Sequence, residues 1–309
     1  MRIAVTGAFG YSGRYIASRL LDAGHTVITL TNSPARANPF GNRVRPFPMH
    51  FEQPALLSAT LSGVDVLVNT YWVRFNHRLF THQTAVANSK TLFHAAKDAG
   101  VKRIVHVSIT NPDIHSELSY FRGKAELESE LTSLGVSYCI LRPAVLFGKE
   151  DVLVNNIAWS LRHFPVFGVF GNGQYKLQPI YVDDLAAAAA EKAAGNRDEI
   201  INAIGPETFT YRGLVQAVAR CLGLKRLIVG VPPSLGYWAA RIMGLLVGDV
   251  IITREEIQGL MEGRLNVDAP PLGATRLTEW MEVHKETLGR HYTSEMARRL
   301  DRISEYRSN

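Results

Sequence analysis

The chain has 309 residues and a net charge of +6, with 46% hydrophobic and 20% charged residues. That length supports a large core, either one α/β domain with an appendage or two domains, and the composition excludes a disordered or fibrous chain. Two cysteines in apolar surroundings, Cys139 and Cys221, speak against a disulfide scaffold and against a zinc site, and they suit a reducing, cytoplasmic setting.

The chain opens on an apolar run, Ile3-Ala4-Val5, with no room for a signal peptide ahead of it. Gly7, Gly10 and Gly13 follow at three-residue spacing, and then Tyr15, Ile16, Leu20 and Leu21 continue at helical spacing. Strand, tight turn and helix in that order form a dinucleotide cradle. The first glycine allows the turn, the second lets backbone approach a pyrophosphate, and the third lets the helix pack on the strand. The unpaired N–H groups of the helix start would receive the phosphates.

A second strand is predicted at Thr26–Leu30, then a polar, proline-rich stretch, and a short strand near Val44–Met49. Pro54–Leu61 reads as a short helix, Val64–Asn69 as a buried strand and His77–Ala99 as a long helix stopped by Gly100. Arg103–Ser108 and Ser137–Leu141 read as strands flanking a helix at Ser119–Leu134. Apolar strands alternating with helices imply a doubly wound parallel sheet covered on both faces, the Rossmann type of α/β fold.

After Leu146 the rhythm changes. Helices are predicted at Asp151–His163, after Tyr181-Val182-Asp183-Asp184 and at Tyr211–Leu222, and strands at Ile200–Ile204 and Arg226–Val231. Asp183 and Asp184 read as carboxylates capping their helix. The division this suggests is a dinucleotide-binding domain over residues 1–150, its sheet completed by about 175–205. A smaller, mostly helical substrate lobe takes 151–174 and 206–309 and is expected over the carboxyl edge of the sheet. Leu235–Ile252 is strongly apolar, but Arg241 and Asp249 interrupt it, so a core or lid helix is expected rather than a membrane span. Arg298, Arg299, Arg302 and Arg307 alternate with Glu295, Asp301 and Glu305 on what reads as one late helix, a solvated mixed-charge face and no nucleic-acid site. No histidine set has metal spacing: His77 and His82 are five residues apart.

Tyr120 and Lys124, four apart on a predicted helix, share one face. An ammonium near a phenol favours the phenolate and fits the tyrosine for proton transfer near neutral pH. Ser108, at a strand end, can bond a substrate oxygen, and Thr110 is a second candidate. An ordinary exposed helix pair is the plain alternative for Tyr120 and Lys124. Asn69, Tyr71 and Trp72 follow the fourth strand, beside the expected cofactor.

Five motifs run in order: Thr6-Gly7-Ala8-Phe9-Gly10-Tyr11-Ser12-Gly13, Ser108, Tyr120-Phe121-Arg122-Gly123-Lys124, Leu141-Arg142-Pro143-Ala144-Val145-Leu146-Phe147-Gly148, and Tyr181-Val182-Asp183-Asp184-Leu185-Ala186. Together they resemble the extended or atypical short-chain dehydrogenase/reductase family, with its NAD-dependent epimerases and dehydratases. Within it the chain is similar to NAD(P)-binding proteins related to the accessory NADPH-binding subunit of respiratory complex I. The resemblance covers residues 1–205 well and the rest loosely. It implies cofactor contacts at Gly7, Phe9, Gly10, Tyr11, Ser12 and Gly13, at Asn69, Thr70 and Tyr71, at Tyr120 and Lys124, and at Pro143, Ala144 and Val145. It also implies Tyr120 as general acid/base, Lys124 on the ribose hydroxyls and Ser108 on the substrate oxygen.

Three departures from the family stand out. No acid follows the second strand; Thr31, Asn32, Ser33 and Arg36 stand there instead and suit a 2′-phosphate, so NADP(H) is expected, with NAD(H) the alternative. His50-Phe51 replaces the pair that grips adenine. Ala85 occupies the place of the asparagine that many extended members carry, with Asn88 one turn on. The expected activity is an NADP(H)-dependent oxidoreductase acting on a carbonyl or hydroxyl small molecule with apolar character. A sugar-nucleotide epimerase or dehydratase, and a non-catalytic NADPH-binding structural or sensor protein, are the rival readings. The oligomeric state, monomer or homodimer, is left open.

Overall fold

In the computed structural model residues 1–306 are described. In chain order they form β1 (Arg2–Thr6), α1 (Tyr11–Asp22), β2 (Thr26–Thr31), β3 (Val44–Pro48), α2 (Pro54–Leu61), β4 (Val66–Asn69), α3 (His82–Asp98), β5 (Arg103–Val107), α4 (Ser119–Ser133), β6 (Ser137–Pro143) and β7 (Val145–Phe147). There follow α5 (Leu153–His163), β8 (Val166–Phe170), β9 (Lys176–Leu177), β10 (Pro179–Tyr181), α6 (Val182–Ala193), β11 (Glu199–Ala203) and β12 (Phe209–Thr210). The chain ends with α7 (Tyr211–Cys221), β13 (Leu227–Val231), α8 (Pro233–Val247), α9 (Arg254–Met261), α10 (Leu277–His284) and α11 (Glu295–Leu300).

Two compact units result. The first comprises Met1–Pro143, Val182–Ala203 and Arg302–Tyr306. Its sheet has the order β11-β6-β5-β4-β1-β2-β3, parallel throughout. The central strands β1, β4 and β5 are buried almost throughout because helices cover both faces, which is why their sequences are apolar runs rather than alternations. The chain direction across the sheet reverses between β1 and β4. There, two loops leave the carboxyl ends of adjacent strands and diverge, opening a crevice. Thr6 ties those loops together: its hydroxyl accepts from the Thr70 N–H at 2.7 Å, and the Thr70 hydroxyl donates to the Thr6 carbonyl at 2.6 Å.

The second unit comprises Ala144–Tyr181 and Ile204–Asp301 among the described residues. Its core gathers Phe147, Ile157, Leu161, Leu214, Val218 and Trp280 from β7, α5, α7 and α10. Its strands pair in twos, β7 with β10, β8 with β13 and β9 with β12.

Four sequence expectations need correction. The helix predicted from His77 begins at His82. Thr81 caps it by accepting from the Thr84 N–H, and Asn76 Oδ1 takes the His82 N–H at 2.7 Å. Ahead of it, His77 and Phe80 exchange backbone hydrogen bonds in a tight turn. Asp183 does not serve as a simple cap; both its carboxylate oxygens receive the Arg19 guanidinium of α1. The late helix is only Glu295–Leu300, residues 302–306 continue without helix, and Arg307 lies outside the described residues.

The fourth correction is α8, which is not a core helix. Leu235, Trp238, Ile242, Leu245 and Leu246 are all more than half exposed, and Gly244 is its one buried residue. The helix docks through its glycines: a Cβ at Gly236 would lie 2.7 Å from the Phe170 ring, and one at Gly244 would lie 2.5 Å from the Asp249 carbonyl oxygen. Close approach on that side turns the large side chains outward. No helix among the described residues is long and apolar enough to cross a membrane.

Candidate active site

The glycine turn has the geometry its spacing implies. Gly7 has φ +66°, a conformation that a side chain would strain. Its N–H donates to the Leu30 carbonyl and its own carbonyl receives the Gly10 N–H, both at 2.8 Å. A Cβ on Gly13 would lie 2.2 Å from the Gly7 carbonyl oxygen, so α1 seats on the turn only with glycine there. Gly10 is the N-cap and offers no side chain to the first turn of α1. The N–H groups of that turn have no intrahelical partners, which makes the helix start a ready anion site. The ring of Phe9 is buried at 1% exposure, so only its backbone remains for a ligand. The cradle therefore fits a pyrophosphate. Gly13→Ala is expected to lower stability by about 1–3 kcal/mol, read from urea unfolding; an unchanged midpoint would show that the helix can shift freely.

Beyond β2, the Thr31 hydroxyl accepts the Ser33 N–H at 3.0 Å, and the Ser33 carbonyl accepts the Arg36 N–H at 3.0 Å. That folds the loop so that Asn32 is exposed and Arg36 half-buried. Beyond β4, Asn69 organises the crevice. Its Oδ1 receives the Thr6 hydroxyl and the Tyr71 N–H, both at 3.1 Å, and its Nδ2 meets His106 Nδ1 at 3.1 Å. His106 is fully buried, and burial first, with the Lys124 charge second, holds its pKa well below the usual histidine value. A neutral imidazole can accept the Asn69 amide proton. Tyr71 turns its ring against Phe51, 5.1 Å between centroids, and its hydroxyl receives the Asn88 amide at 2.9 Å. Asn88 thus serves to place Tyr71. Ala85 is wholly buried. His50 lies half-buried at the turn before Phe51, its carbonyl taken by the Gln53 N–H.

Tyr120 and Lys124 do share a face of α4, and what joins them is Trp72. The Lys124 ammonium lies 4.4 Å from the centre of the indole, and the Tyr120 ring meets the same indole edge-on at 5.6 Å. His82 stacks on Trp72 at 5.6 Å and also contacts Tyr120 at 5.4 Å. Gly123 is what admits the indole, since a Cβ there would lie 3.0 Å from Trp72 and 2.9 Å from Val86. The Lys124 Nζ donates to the Val107 carbonyl at the end of β5, 2.8 Å away. Burial brings its pKa down to about 7, against the opposing pull of Glu128. Glu128, one turn further on, receives the Arg142 guanidinium and so clamps α4 to β6.

One residue past Val107, Ser108 is 3% exposed, and its hydroxyl has no hydrogen-bond partner among the described residues. A buried hydroxyl without a protein partner can take up a water or a ligand oxygen. The chain here is held by the Ser108 and Thr110 N–H groups, which donate to the Leu141 and Pro143 carbonyls. Asn111 follows at φ 51°, a left-handed residue that turns the chain away. Ala144 and Val145 fall in the second unit, where Val145 opens the pairing of β7 with β10.

A Rossmann sheet with a glycine cradle on its first helix defines a dinucleotide-binding fold. Comparison with known proteins agrees. Residues 7–157 match the family model described as NAD(P)H-binding, so this part of the chain is an NAD(P)H-binding domain. NADH dehydrogenase [ubiquinone] 1 alpha subcomplex subunit 9, mitochondrial, of Arabidopsis thaliana is 27% identical over 223 residues, covering 69% of this chain and 56% of its own length. The chain therefore spans little more than half of that relative. Among solved structures, the triphenylmethane reductase of a Citrobacter species has a TM-score of 0.76 at 19% identity, covering 93% of this chain and 100% of its own. The NADPH-dependent quinone oxidoreductase of Escherichia coli, complexed with NADPH, has a TM-score of 0.76 at 23% identity, covering 91% and 99%. These two show the fold. With the ordered motifs, the comparisons support classification with the extended or atypical short-chain dehydrogenase/reductases.

Gly123 and Glu128 were given no role from sequence, and His82 was weighed only as a metal ligand and set aside. The signals were present: a glycine in mid-helix between Tyr120 and Lys124, and an acid four residues beyond the lysine with Arg142 as its partner.

Proposed function

We propose that the chain is an NADPH-dependent reductase of a carbonyl or quinone compound. The observation that carries this is the buried, unpartnered Ser108 hydroxyl, one residue beyond the carbonyl that anchors Lys124. Gly7, Gly10, Gly13 and the first turn of α1 would hold the pyrophosphate, Phe51 and Tyr71 would flank the adenosine, and Arg36 would take the 2′-phosphate. When bound, the nicotinamide supplies the hydride. Ser108 orients the substrate oxygen, and Tyr120 donates the proton to it. Lys124, close to half-charged at neutral pH, is drawn to the protonated form by the negative dinucleotide and holds its ribose hydroxyls. Two free cysteines fit a reducing, cytoplasmic location. The test is to supply NADPH with a panel of quinones, aldehydes and ketones and to follow loss of reduced-nicotinamide absorbance; no turnover with any of them overturns the reading.

A non-catalytic NADPH-binding role is the second reading, favoured by the Lys124 ammonium being committed to Val107 and Trp72 and by a relative that is named as an NADH dehydrogenase subunit. Tight NADPH binding with no turnover would select it, with a protein partner in place of a substrate.

Cofactor choice is a separate expectation. NADPH binds tighter than NADH by roughly 10- to 150-fold, the worth of one charge-assisted contact. Isothermal titration of both cofactors checks this, and Arg36→Ala narrows the gap.

A further inference from the structure

The last described residues lie on two arginines, Arg14 of α1 and Arg36 of the loop beyond β2. The Ala37 N–H donates to the Ile303 carbonyl at 2.7 Å, and the Arg36 guanidinium reaches the Ser304 carbonyl at 3.5 Å. The Glu305 carboxylate receives Arg14 at 2.9 Å, and the Tyr306 ring lies under the Arg36 guanidinium, 5.7 Å from its centre. Arg14 follows Gly13 directly in the first turn of α1, and Arg36 stands in the loop beyond β2. One segment thus presents a carboxylate to one arginine and an aromatic face to the other. The 2′-phosphate of NADP⁺ would bring the same arginines an anion in place of that carboxylate.

We propose that residues 303–306 are a tethered competitor for the 2′-phosphate of the cofactor, with Glu305 standing in for the phosphate and Tyr306 packed under the Arg36 guanidinium that the phosphate would take. This rests on the reading that Arg36 faces a 2′-phosphate. The Arg14 and Glu305 side chains are 19% and 46% exposed, so their pairing is weak and can be displaced. A phosphate monoester carries more charge than a carboxylate and more acceptor oxygens, so it wins the guanidinium when it arrives. NADP⁺ must release the tail to bind. NAD⁺ carries the pyrophosphate and the adenine but no 2′-phosphate, so it brings no second anion to compete for the guanidinium that Glu305 holds. The tail therefore lowers the affinity for NADP⁺ selectively and couples its own release to that cofactor alone.

The experiment measures Kd for NADP⁺ and NAD⁺ on the full chain and on Glu305→Gln, which keeps size and hydrogen bonding but removes the charge. The expected result is NADP⁺ tightened roughly two- to fivefold by the substitution, the range of an exposed ion pair, with NAD⁺ unchanged. A second readout needs no variant: trypsin cleavage after Arg302 is accelerated by saturating NADP⁺ and unaffected by NAD⁺. Equal change for both cofactors, no change for either, or protection of Arg302 by NADP⁺ overturns the proposal, the last because it would make the tail a clasp over bound cofactor. Failure of the underlying reading looks different. The wild type then binds NADP⁺ no tighter than NAD⁺, Arg36→Ala changes neither, and the proposal falls with it.

Discussion

Tyr120→Phe lowers turnover by roughly 10²–10⁴-fold and leaves NADPH affinity nearly unchanged, the signature of a lost proton donor rather than of lost binding. The phenyl ring keeps its edge contacts with Trp72 and His82, so α4 and its neighbours stay in place. Ser108→Ala is the informative companion. The hydroxyl has no partner to lose, so deleting it leaves stability unchanged or slightly raised while turnover falls. Steady-state kinetics with titrated NADPH and urea unfolding of each variant separate these effects. Full turnover in Tyr120→Phe would mean that the proton comes from elsewhere and that the Tyr120–Trp72–His82 group is packing.

Lys124→Met is expected to stabilise the protein without cofactor while weakening NADPH binding. An ammonium at 2% exposure whose pKa has fallen from 10.5 to about 7 is held in the fold against its hydration. Below pH 7 it is charged in both folded and unfolded chains, and the full penalty applies. Between pH 7 and 10.5 only the unfolded chain keeps the extra proton, so stability climbs with pH; above that range the penalty is gone. The shift corresponds to at most about 4 kcal/mol at pH 7, of which roughly 2 kcal/mol returns by pH 9. A methionine of similar length removes the penalty, and replacing buried charge by apolar volume gains about 1–4 kcal/mol. The window from pH 7 to 9 is favourable. Asp151, raised by burial to about 7, adds its dependence below it, and Cys139 and Cys221, both raised to about 11, add theirs above it. Urea unfolding at pH 7, 8 and 9 should show a rising ΔG for the wild type and a flatter one for the variant. Parallel slopes would show that Lys124 titrates normally.

The nucleotide-binding half was legible because its signals are local. Gly7, Gly10 and Gly13 mark strand, turn and helix within thirteen residues, and uninterrupted apolar runs mark a sheet covered on both faces. The start of α3 was misread because apolar periodicity does not separate a tight turn from a first helical turn; Thr81 and Asn76 decide it through caps that depend on distant placement. The exposure of α8 was hidden for a related reason. Its leucines look like core until the close contacts of Gly236 and Gly244 fix which side docks. At the site, Tyr120, Lys124 and Ser108 could be picked out by type and spacing. The aromatic group around them could not, because Trp72 follows β4 and His82 begins α3, and the two meet Tyr120 only in the fold. The tail contact spans nearly the whole chain, from Arg14 to Glu305, and no local pattern announces it.

The fit of the Trp72 indole against Gly123 ties two positions fifty-one residues apart into one heritable unit. A side chain at 123 would press on the indole at 3.0 Å and on Val86 at 2.9 Å, and the indole is the face on which the Lys124 charge rests. Drift at either position alone therefore disturbs the packing beside that lysine. A lineage exchanges the bulky ring for a smaller residue and the glycine for a larger one most easily together, so the pair constrains which sequences can reach this site one step at a time.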